Sequence, residues 1–152
     1  MIKRRERTKQ YAALPFRAGP SGVEILLITS RETRRWVIPK GWPMKDKAPH
    51  EAAAQEAHEE AGLEGDVADR PIGAYRYGKR LKTGQERPVD VWVFPMRVSA
   101  ENNDWPEKDE RERRWFAPAD AAAAVVEPEL KVLIMAFGRL RSEPEPGDGA
   151  PV

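Results

Sequence analysis

The segment Val23–Thr29 (VEILLIT) constrains the fold most, because nearly all of its residues are apolar and several are β-branched. A strand of this composition is typical of the interior of a sheet, where both of its faces are buried. We therefore predict a buried central strand here, in a sheet that other elements cover.

Short strands and helices are predicted on both sides of this segment. Proline near the start of a segment and glycine after its end mark the helices, whereas β-branched and aromatic runs mark the strands. Pro15 is interpreted as the mark of an edge strand or a bulge. The pattern predicts an α/β (α+β) sandwich with a mixed β-sheet. The further strands are Tyr11–Arg17, Arg35–Ile38, Ile72–Tyr77, Val89–Val98 and Arg114–Ala117, and the helices are Pro49–Gly62, Pro118–Val126 and Pro128–Leu140.

Two of these segments carry a clear face pattern. Between Val89 and Phe94, the valines alternate with Asp90, Trp92 and Phe94, so the two sets face opposite sides of a sheet. In the last helix one apolar stripe is predicted to be core packing. It consists of Leu130, Leu133, Ile134, Phe137 and Leu140.

The chain of 152 residues suits one domain, which we place at residues 9–141. A flexible basic N-terminus (1–8) and a disordered tail (142–152) are expected around it. Because the sequence has no cysteine, disulfides, thiolate metal sites and a cysteine nucleophile are excluded. No apolar run is long enough to cross a membrane and no secretory signal is present, so we expect a cytoplasmic protein.

Three carboxylates of the first predicted helix, Glu56, Glu59 and Glu60, lie at positions i, i+3 and i+4. This spacing puts them on one helix face, where like charges repel. An acidic helix face is most often solvated surface, but a hard divalent cation with oxygen ligands would also relieve the repulsion. Upstream, Gly41 lies in a tight loop whose backbone carbonyl can approach a metal ion closely.

The register from Gly41 to Leu63 resembles the Nudix box, G-x5-E-x7-R-E-U-x-E-E-x-G-U, in which U is apolar. Two positions depart from the box: Lys47 stands in place of glutamate, and Gln55 in place of arginine. In the family these two residues tend to form an ion pair that orients the acids. Here both partners differ together, so neither charge of that pair remains. Gly41, Glu56, Ala57, Glu59, Glu60, Gly62 and Leu63 match the box.

Within the Nudix superfamily the chain is most similar to the diphosphoinositol polyphosphate phosphohydrolases, which also act on diadenosine polyphosphates. The similarity includes Thr29-Ser30-Arg31, Arg35–Pro39 and Arg114-Trp115-Phe116. The resemblance implies a Nudix-type α/β/α sandwich and metal-dependent hydrolysis of a phosphoanhydride bond, with Mg²⁺ as the cofactor and Mn²⁺ as the alternative.

The resemblance also implies roles for the residues of the box. Gly41, Glu56, Glu59 and Glu60 are the expected metal ligands, and Glu59 and Glu60 the expected catalytic residues. Some family members use an acid from a later loop instead, and the sequence does not choose among the acids available there. These are Glu101, Asp104, Glu107, Asp109, Glu110 and Glu112.

Basic residues flank the box and continue along the predicted hairpin after it. So many cations favour a highly phosphorylated substrate, although a solubilising surface hairpin is the alternative. The expected substrate-binding residues are Arg31, Lys40, Lys45, Lys47, Arg76, Arg80 and Lys82.

Two other functions remain open at this point. One is a pyrophosphohydrolase that acts on RNA 5′ ends or free nucleotides, in which the basic N-terminus would touch RNA. The other is a non-catalytic Nudix-like ligand sensor, whose usual mark would be the loss of the box glutamates. The retained glutamates favour an enzyme over a sensor. We expect a small-molecule polyphosphate substrate and no membrane partner, and nucleic acid stays the alternative partner. The sequence does not indicate an oligomeric state.

Overall fold

A mixed eight-stranded sheet forms the centre of the computed structural model, which describes residues 8–142. Within these residues, three α-helices and one short 3₁₀-helix, Lys108–Glu110, accompany the strands. The strands are β1 (Lys9–Gly19), β2 (Gly22–Thr29), β3 (Trp36–Val37), β4 (Lys40–Gly41), β5 (Leu63–Val67), β6 (Gly73–Arg80), β7 (Glu86–Glu101) and β8 (Arg113–Phe116). The helices are α1 (Pro49–Ala61), α2 (Pro118–Ala124) and α3 (Pro128–Ser142).

The main path of the sheet runs β3-β2-β1-β7-β5, with β4 paired to β1, β6 to β7 and β8 to β2. β1 and β7 are parallel, in a register from Lys9 opposite Asp90 to Phe16 opposite Arg97. The other pairs are antiparallel. The predicted mixed sheet with helices is therefore confirmed.

Both faces of the sheet are covered, which explains the nearly continuous apolar run in β2. Ile25 and Leu27 pack toward α2 and α3, in a core with residues such as Val91 and Ile134. Leu26 and Ile28 pack on the opposite face, in a core that contains the alanines of α1. The central position predicted for β2 is confirmed, and so is the alternation of valines in β7.

Local sequence signals define both ends of α1. Pro49 lies in its first turn, and the Glu51 carboxylate accepts a hydrogen bond from the backbone N–H of Ala48 at 2.8 Å. Gly62 ends the helix in the left-handed conformation (φ 67°), which glycine adopts without a steric penalty. Small buried side chains let the helix lie close to the sheet, which fixes the position of its acidic face. These are Ala52, Ala53, Ala57 and Ala61.

Several sequence predictions differ from the structure. Pro15 lies in a central strand, not at an edge or a bulge. It falls between Ala13, whose N–H bonds to Pro39, and Phe16, the first residue paired with β2. A residue without an N–H is tolerated where β1 changes neighbours. Leu140 is 64% exposed and lies outside the apolar stripe.

Other differences concern elements that the sequence did not predict. β5, the 3₁₀-helix and the pairing of Lys40–Gly41 with β1 were absent from the prediction. The proposed tails fall almost wholly at residues 1–7 and 143–152, outside the described residues. Among residues 8–142, no helix has both the length and the apolar character needed to cross a membrane.

Candidate active site

Gly41 of β4 lies directly against the side chain of Glu56 in α1. A Cβ atom built on Gly41 would collide with the carboxyl group of Glu56, so a side chain at this position displaces that group. The pairing of Gly41 with Tyr11 of β1 holds the loop in place. The box glycine therefore leaves room for a carboxylate beside the backbone.

Glu56 and Glu60 lie one helical turn apart on α1 and line the same cavity. Burial raises the pKa of Glu56, and the negative charge of Glu60 raises it further. Burial also raises the pKa of Glu60, although Arg111 and Lys40 oppose this effect. The raised pKa values mean that two neighbouring negative charges are unfavourable here, and binding a proton reduces their repulsion. A divalent cation would relieve the same crowding.

Arg111 fixes Glu60 from the opposite side and is only 9% exposed. Its Nε donates to Glu107 Oε1 at 2.8 Å, and its Nη1 donates to the backbone oxygen of Thr29 at 3.1 Å. Its Nη2 lies 3.8 Å from Glu60 Oε2. One guanidinium thereby ties α1 to the end of β2 and to the loop before β8. The backbone N–H of Lys40 adds a hydrogen bond to Glu60 Oε1 at 3.3 Å.

Of the six later acids, Glu107 lines the same cavity as Glu56 and Glu60. Glu101, Glu110 and Glu112 do not line this cavity, and each pairs with an arginine elsewhere. Arg111 gave no signal in the sequence, because an arginine between charged residues looks like surface. It is found only when the loop is folded back onto α1.

Glu59 stands apart from the other two box glutamates. Its Oε2 accepts a hydrogen bond from Gln55 Nε2 at 2.6 Å, so the residue that replaces the box arginine still contacts a box glutamate. Lys47 is exposed, and its backbone N–H donates to Met44. Its side chain does not line either cavity described below.

The oxygen donors near Gly41 fit a magnesium ion. Within residues 8–142 no three acidic or histidine side chains converge as a ready-made metal cluster. Mg²⁺ keeps several water ligands and is usually held by one or two carboxylates, which the pair Glu56 and Glu60 supplies. The space that only a glycine leaves beside Glu56 supports the same interpretation.

Two adjoining cavities open beside the acid pair. The narrow cavity, of about 330 Å³, contains Glu56, Glu60, Glu107 and Arg111. The wide cavity, of about 870 Å³, extends toward the start of α3. Together they offer one continuous site with an acidic end and a longer, mixed-charge end. Five residues line both: Ser30, Arg31, Lys40, Tyr77 and Lys79.

The predicted phosphate-binding cations divide into two groups. Arg31 and Lys40 line both cavities and Arg80 lines the wide one, whereas Lys45, Lys47, Arg76 and Lys82 line neither. Arg76 is exposed and donates to Asp90 at 2.8 Å. The assignment of these four to substrate binding remains a prediction without support from the cavities.

Lys79 belongs to the basic hairpin but was not among the expected substrate-binding residues, although strand alternation could have selected it. In β6, Tyr75, Tyr77 and Lys79 share one face and Arg76 lies on the other.

Lys40 Nζ lies 4.8 Å from the ring centroid of Tyr77. Burial lowers the pKa of the Lys40 amine, while the charges of Glu60 and Glu127 act against that change.

Replacing Gly41 by alanine tests the close approach. We expect Gly41→Ala to fold normally but to displace the Glu56 carboxyl group, and so to weaken Mg²⁺ binding measured by calorimetry at least tenfold. Gly19→Ala is the matched control, since its Cβ would also meet a glutamate side chain, that of Glu24, far from the site. Equal Mg²⁺ affinities in the two variants would contradict the assignment.

Comparisons with known proteins identify the family and the fold. The NUDIX domain family model matches residues 8–137. The chain is 33% identical over 102 residues to Nudix hydrolase 12, mitochondrial, of Arabidopsis thaliana, which covers 65% of this chain and 50% of the relative. It is 31% identical over 115 residues to mouse diphosphoinositol polyphosphate phosphohydrolase 3-alpha, covering 74% of this chain and 66% of the relative.

Solved structures share the fold at lower identity. A C. elegans Ap4A hydrolase superposes with a TM-score of 0.61 at 19% identity, covering 88% of this chain and 97% of that one. The NUDIX domain of Shewanella oneidensis NrtR, complexed with ADP ribose, gives 0.64 at 14% identity, covering 87% of each chain.

The chain belongs to the Nudix family. Several of its relatives are named Nudix hydrolases, and the similarity to the diphosphoinositol polyphosphate phosphohydrolase group is confirmed. The chain spans about half the length of three of its Arabidopsis relatives, Nudix hydrolases 12, 13 and 4.

Proposed function

We propose that this Nudix hydrolase cleaves a phosphoanhydride bond in a highly phosphorylated small molecule, with Mg²⁺ or Mn²⁺ as cofactor. An inositol pyrophosphate and a dinucleoside polyphosphate are the two substrate classes considered. The proposal rests on one observation: two acids and three cations line the same narrow cavity. The acids are Glu56 and Glu60, and the cations are Arg31, Lys40 and Lys79. Such an arrangement suits a polyanion that bridges a metal ion and fixed cations.

Glu56, Glu60 and the Gly41 carbonyl would hold the metal ion, and Glu59 remains a candidate ligand. When bound, the ion neutralises charge on the phosphate oxygens and makes a bound water more acidic. The hydrogen bonds and ion pairs that Glu60 receives from Lys40 and Arg111 keep its carboxylate oriented toward the cavity.

The reaction forms a bond between a water oxygen and phosphorus and breaks the bond from that phosphorus to the bridging oxygen. The bond electrons leave with the phosphate or nucleotide, and the proton of the water passes to a carboxylate. Glu59 and Glu60 are the candidates from the box, and Glu107 joins them because Arg111 holds it at the same cavity. Arg31, Lys40 and Lys79 would bind the substrate phosphates.

A panel of purified substrates tests the proposal. It contains inositol pyrophosphates, dinucleoside polyphosphates, triphosphorylated RNA and oxidised nucleotides, each with Mg²⁺, with Mn²⁺ and with EDTA. We expect metal-dependent release of phosphate or nucleotide from one of the first two classes. Preferred turnover of triphosphorylated RNA would favour the RNA-end function, and binding without turnover would favour a ligand sensor.

Two double variants of the hairpin extend this test. Lys79→Ala with Arg80→Ala removes two cations that line the wide cavity, and we expect KM to rise at least about tenfold, since each charged hydrogen bond contributes roughly 1.5–3 kcal/mol. Arg76→Ala with Lys82→Ala removes the same charge outside the cavities. Similar KM values for the two double variants would mean that the hairpin is solvated surface and does not bind the substrate.

A further inference from the structure

The C-terminal end of α1 is held by residues from a distant part of the chain. The last four carbonyl groups of an α-helix have no partner within the helix. In α1 these are the carbonyl groups of residues 58–61, and the first of them accepts the N–H of Gly62 at 3.0 Å. The other three accept hydrogen bonds from the β7–β8 loop (residues 102–112) and from Arg113, the first residue of β8.

Each of these three carbonyl groups has its own donor. The pairs are the Glu107 N–H with the oxygen of Glu59 at 3.2 Å, Trp105 Nε1 with that of Glu60 at 3.1 Å, and Arg113 Nη1 with that of Ala61 at 2.7 Å. Two of the three donors are side chains. Removing either one leaves a carbonyl group of α1 without its partner, which costs more than a surface hydrogen bond does.

The two donor side chains also contact each other. Cζ of Arg113 lies 4.1 Å from the ring centroid of Trp105, which is a cation–π contact. Arg113 Nη2 donates to the backbone oxygen of Asn102, at the start of the loop, at 2.8 Å. A Cβ atom on Gly62 would lie 2.7 Å from two carbons of the Trp105 ring, so the glycine leaves the space that the ring fills. The pair Trp105–Arg113 therefore joins both ends of the β7–β8 loop to α1.

The same loop brings Glu107 to the narrow cavity. Glu107 lines this cavity with Glu60, and Arg111 of the loop contacts both carboxylates. Trp105 and Arg113 line neither cavity. Any effect of these two side chains on the reaction must therefore pass through the loop that they hold.

We infer that Trp105 and Arg113 are positioning residues, which keep Glu107 at the acid pair by binding the last carbonyl groups of α1. This inference rests on the proposed function and adds the residues that hold its loop in place. A displacement of about 1 Å in a reacting group can lower a rate about a hundredfold. The cations that bind substrate phosphates lie on other elements, so loosening the loop lowers kcat and leaves KM nearly unchanged.

The first test is Trp105→Phe, which keeps a ring over Gly62 but removes the N–H that binds Glu60. We expect kcat to fall about tenfold, as for other residues that orient a catalytic group, with KM within about twofold of the wild type. Trp115→Phe is the matched control. Arg17 Cζ also lies 4.1 Å from the Trp115 ring centroid, but the buried Nε1 of Trp115 has no hydrogen-bond partner among the described residues. Equal losses of kcat in the two variants would overturn the inference.

A double-mutant cycle with Glu107→Gln separates positioning from a general loss of structure. If Trp105 acts through Glu107, Trp105→Phe should change kcat less than about twofold once the Glu107 carboxylate is gone, because the two residues are coupled. The same fold-loss in both backgrounds would overturn the inference. So would a wild-type kcat in Glu107→Gln alone.

Amide hydrogen exchange tests the attachment without substrate or metal. The Glu107 N–H should exchange roughly three- to tenfold faster in Trp105→Phe than in the wild type, while the amides of β2 keep their protection. Arg113→Lys should act in the same direction, since an ammonium cannot bind Ala61 and Asn102 in the geometry of the guanidinium. It replaces Trp105→Phe in the cycle if that variant folds poorly.

The exchange experiment also separates the two proposals. If no substrate of the panel is hydrolysed, the proposed function fails, and exchange at Glu107 then decides the inference. Faster exchange in Trp105→Phe and Arg113→Lys, but not in Trp115→Phe, would support it. Unchanged exchange at Glu107 in the first two variants would overturn it.

Discussion

Replacing Glu60 by glutamine is expected to reduce turnover about a thousandfold or more while the fold is retained. Glu60 is 8% exposed and lines the same cavity as Glu56, so its charge acts directly on the proposed metal position. A catalytic metal ion contributes several kcal/mol to the stabilisation of charge in the transition state. Each 1.4 kcal/mol or so corresponds to a factor of about ten in rate. The measurements are kcat at saturating Mg²⁺ and Mg²⁺ affinity by calorimetry.

The control for this variant is Glu64→Gln, which removes the same charge from an exposed residue of β5. Its kcat should stay within about twofold of the wild type, as surface substitutions usually have small effects. Turnover of Glu60→Gln within threefold of the wild type would remove Glu60 from the site. Glu59→Gln is measured in parallel. It shows whether the Glu59 carboxylate, which accepts a hydrogen bond from Gln55, takes part in metal binding or catalysis.

Replacing Arg111 by methionine is expected to lower both stability and turnover. The guanidinium is 9% exposed and contacts Glu60, Glu107 and the Thr29 backbone. Removing one partner of a buried ion pair typically costs about 3–5 kcal/mol, because the remaining charge is left without compensation. For a chain of this size that predicts a fall in Tm of roughly 6–20 °C. Loss of a residue that orients a metal ligand should also lower kcat about 10–100-fold.

Arg34→Met is the matched control, because Arg34 also pairs with a glutamate, Glu112, at 3.3 Å but is exposed. An exposed pair contributes roughly 0–1 kcal/mol, so Tm should change little. Arg111→Lys should recover part of the loss, since an ammonium keeps the charge but cannot make all three contacts. Equal Tm values for Arg111→Met and Arg34→Met would show that Arg111 does not hold the acids together.

The sequence predicted the parts of the site that depend on local geometry. Glu56 and Glu60 share a helix face because α-helical spacing fixes it, and Gly62 ends that helix through its own backbone freedom. Glu107 and Arg111 reach the site only through a loop that folds back onto α1. No periodicity describes such a loop, so the sequence left six acids as equal candidates.

The same distinction applies to the basic residues and to Pro15. Counting cations placed Arg76 at the site and left out Lys79, but β6 sends successive side chains to opposite faces. Arg76 lies on the face opposite Lys79 and pairs with Asp90. Pro15 resembled an edge residue because proline cannot complete a ladder. The structure tolerates it in the centre because β1 has different neighbours on the two sides of this residue.

The parallel pairing of β1 with β7 has a consequence for how the chain is made. Lys9 is opposite Asp90, so about 80 residues must be synthesised before the first strand can meet its central partner. At roughly 5–20 residues per second this delay is several seconds. Meanwhile the apolar residues Ala13, Leu14 and Phe16 lack the neighbour that covers them. Such distant pairing slows folding, so neither core can close on the ribosome until β7 has emerged.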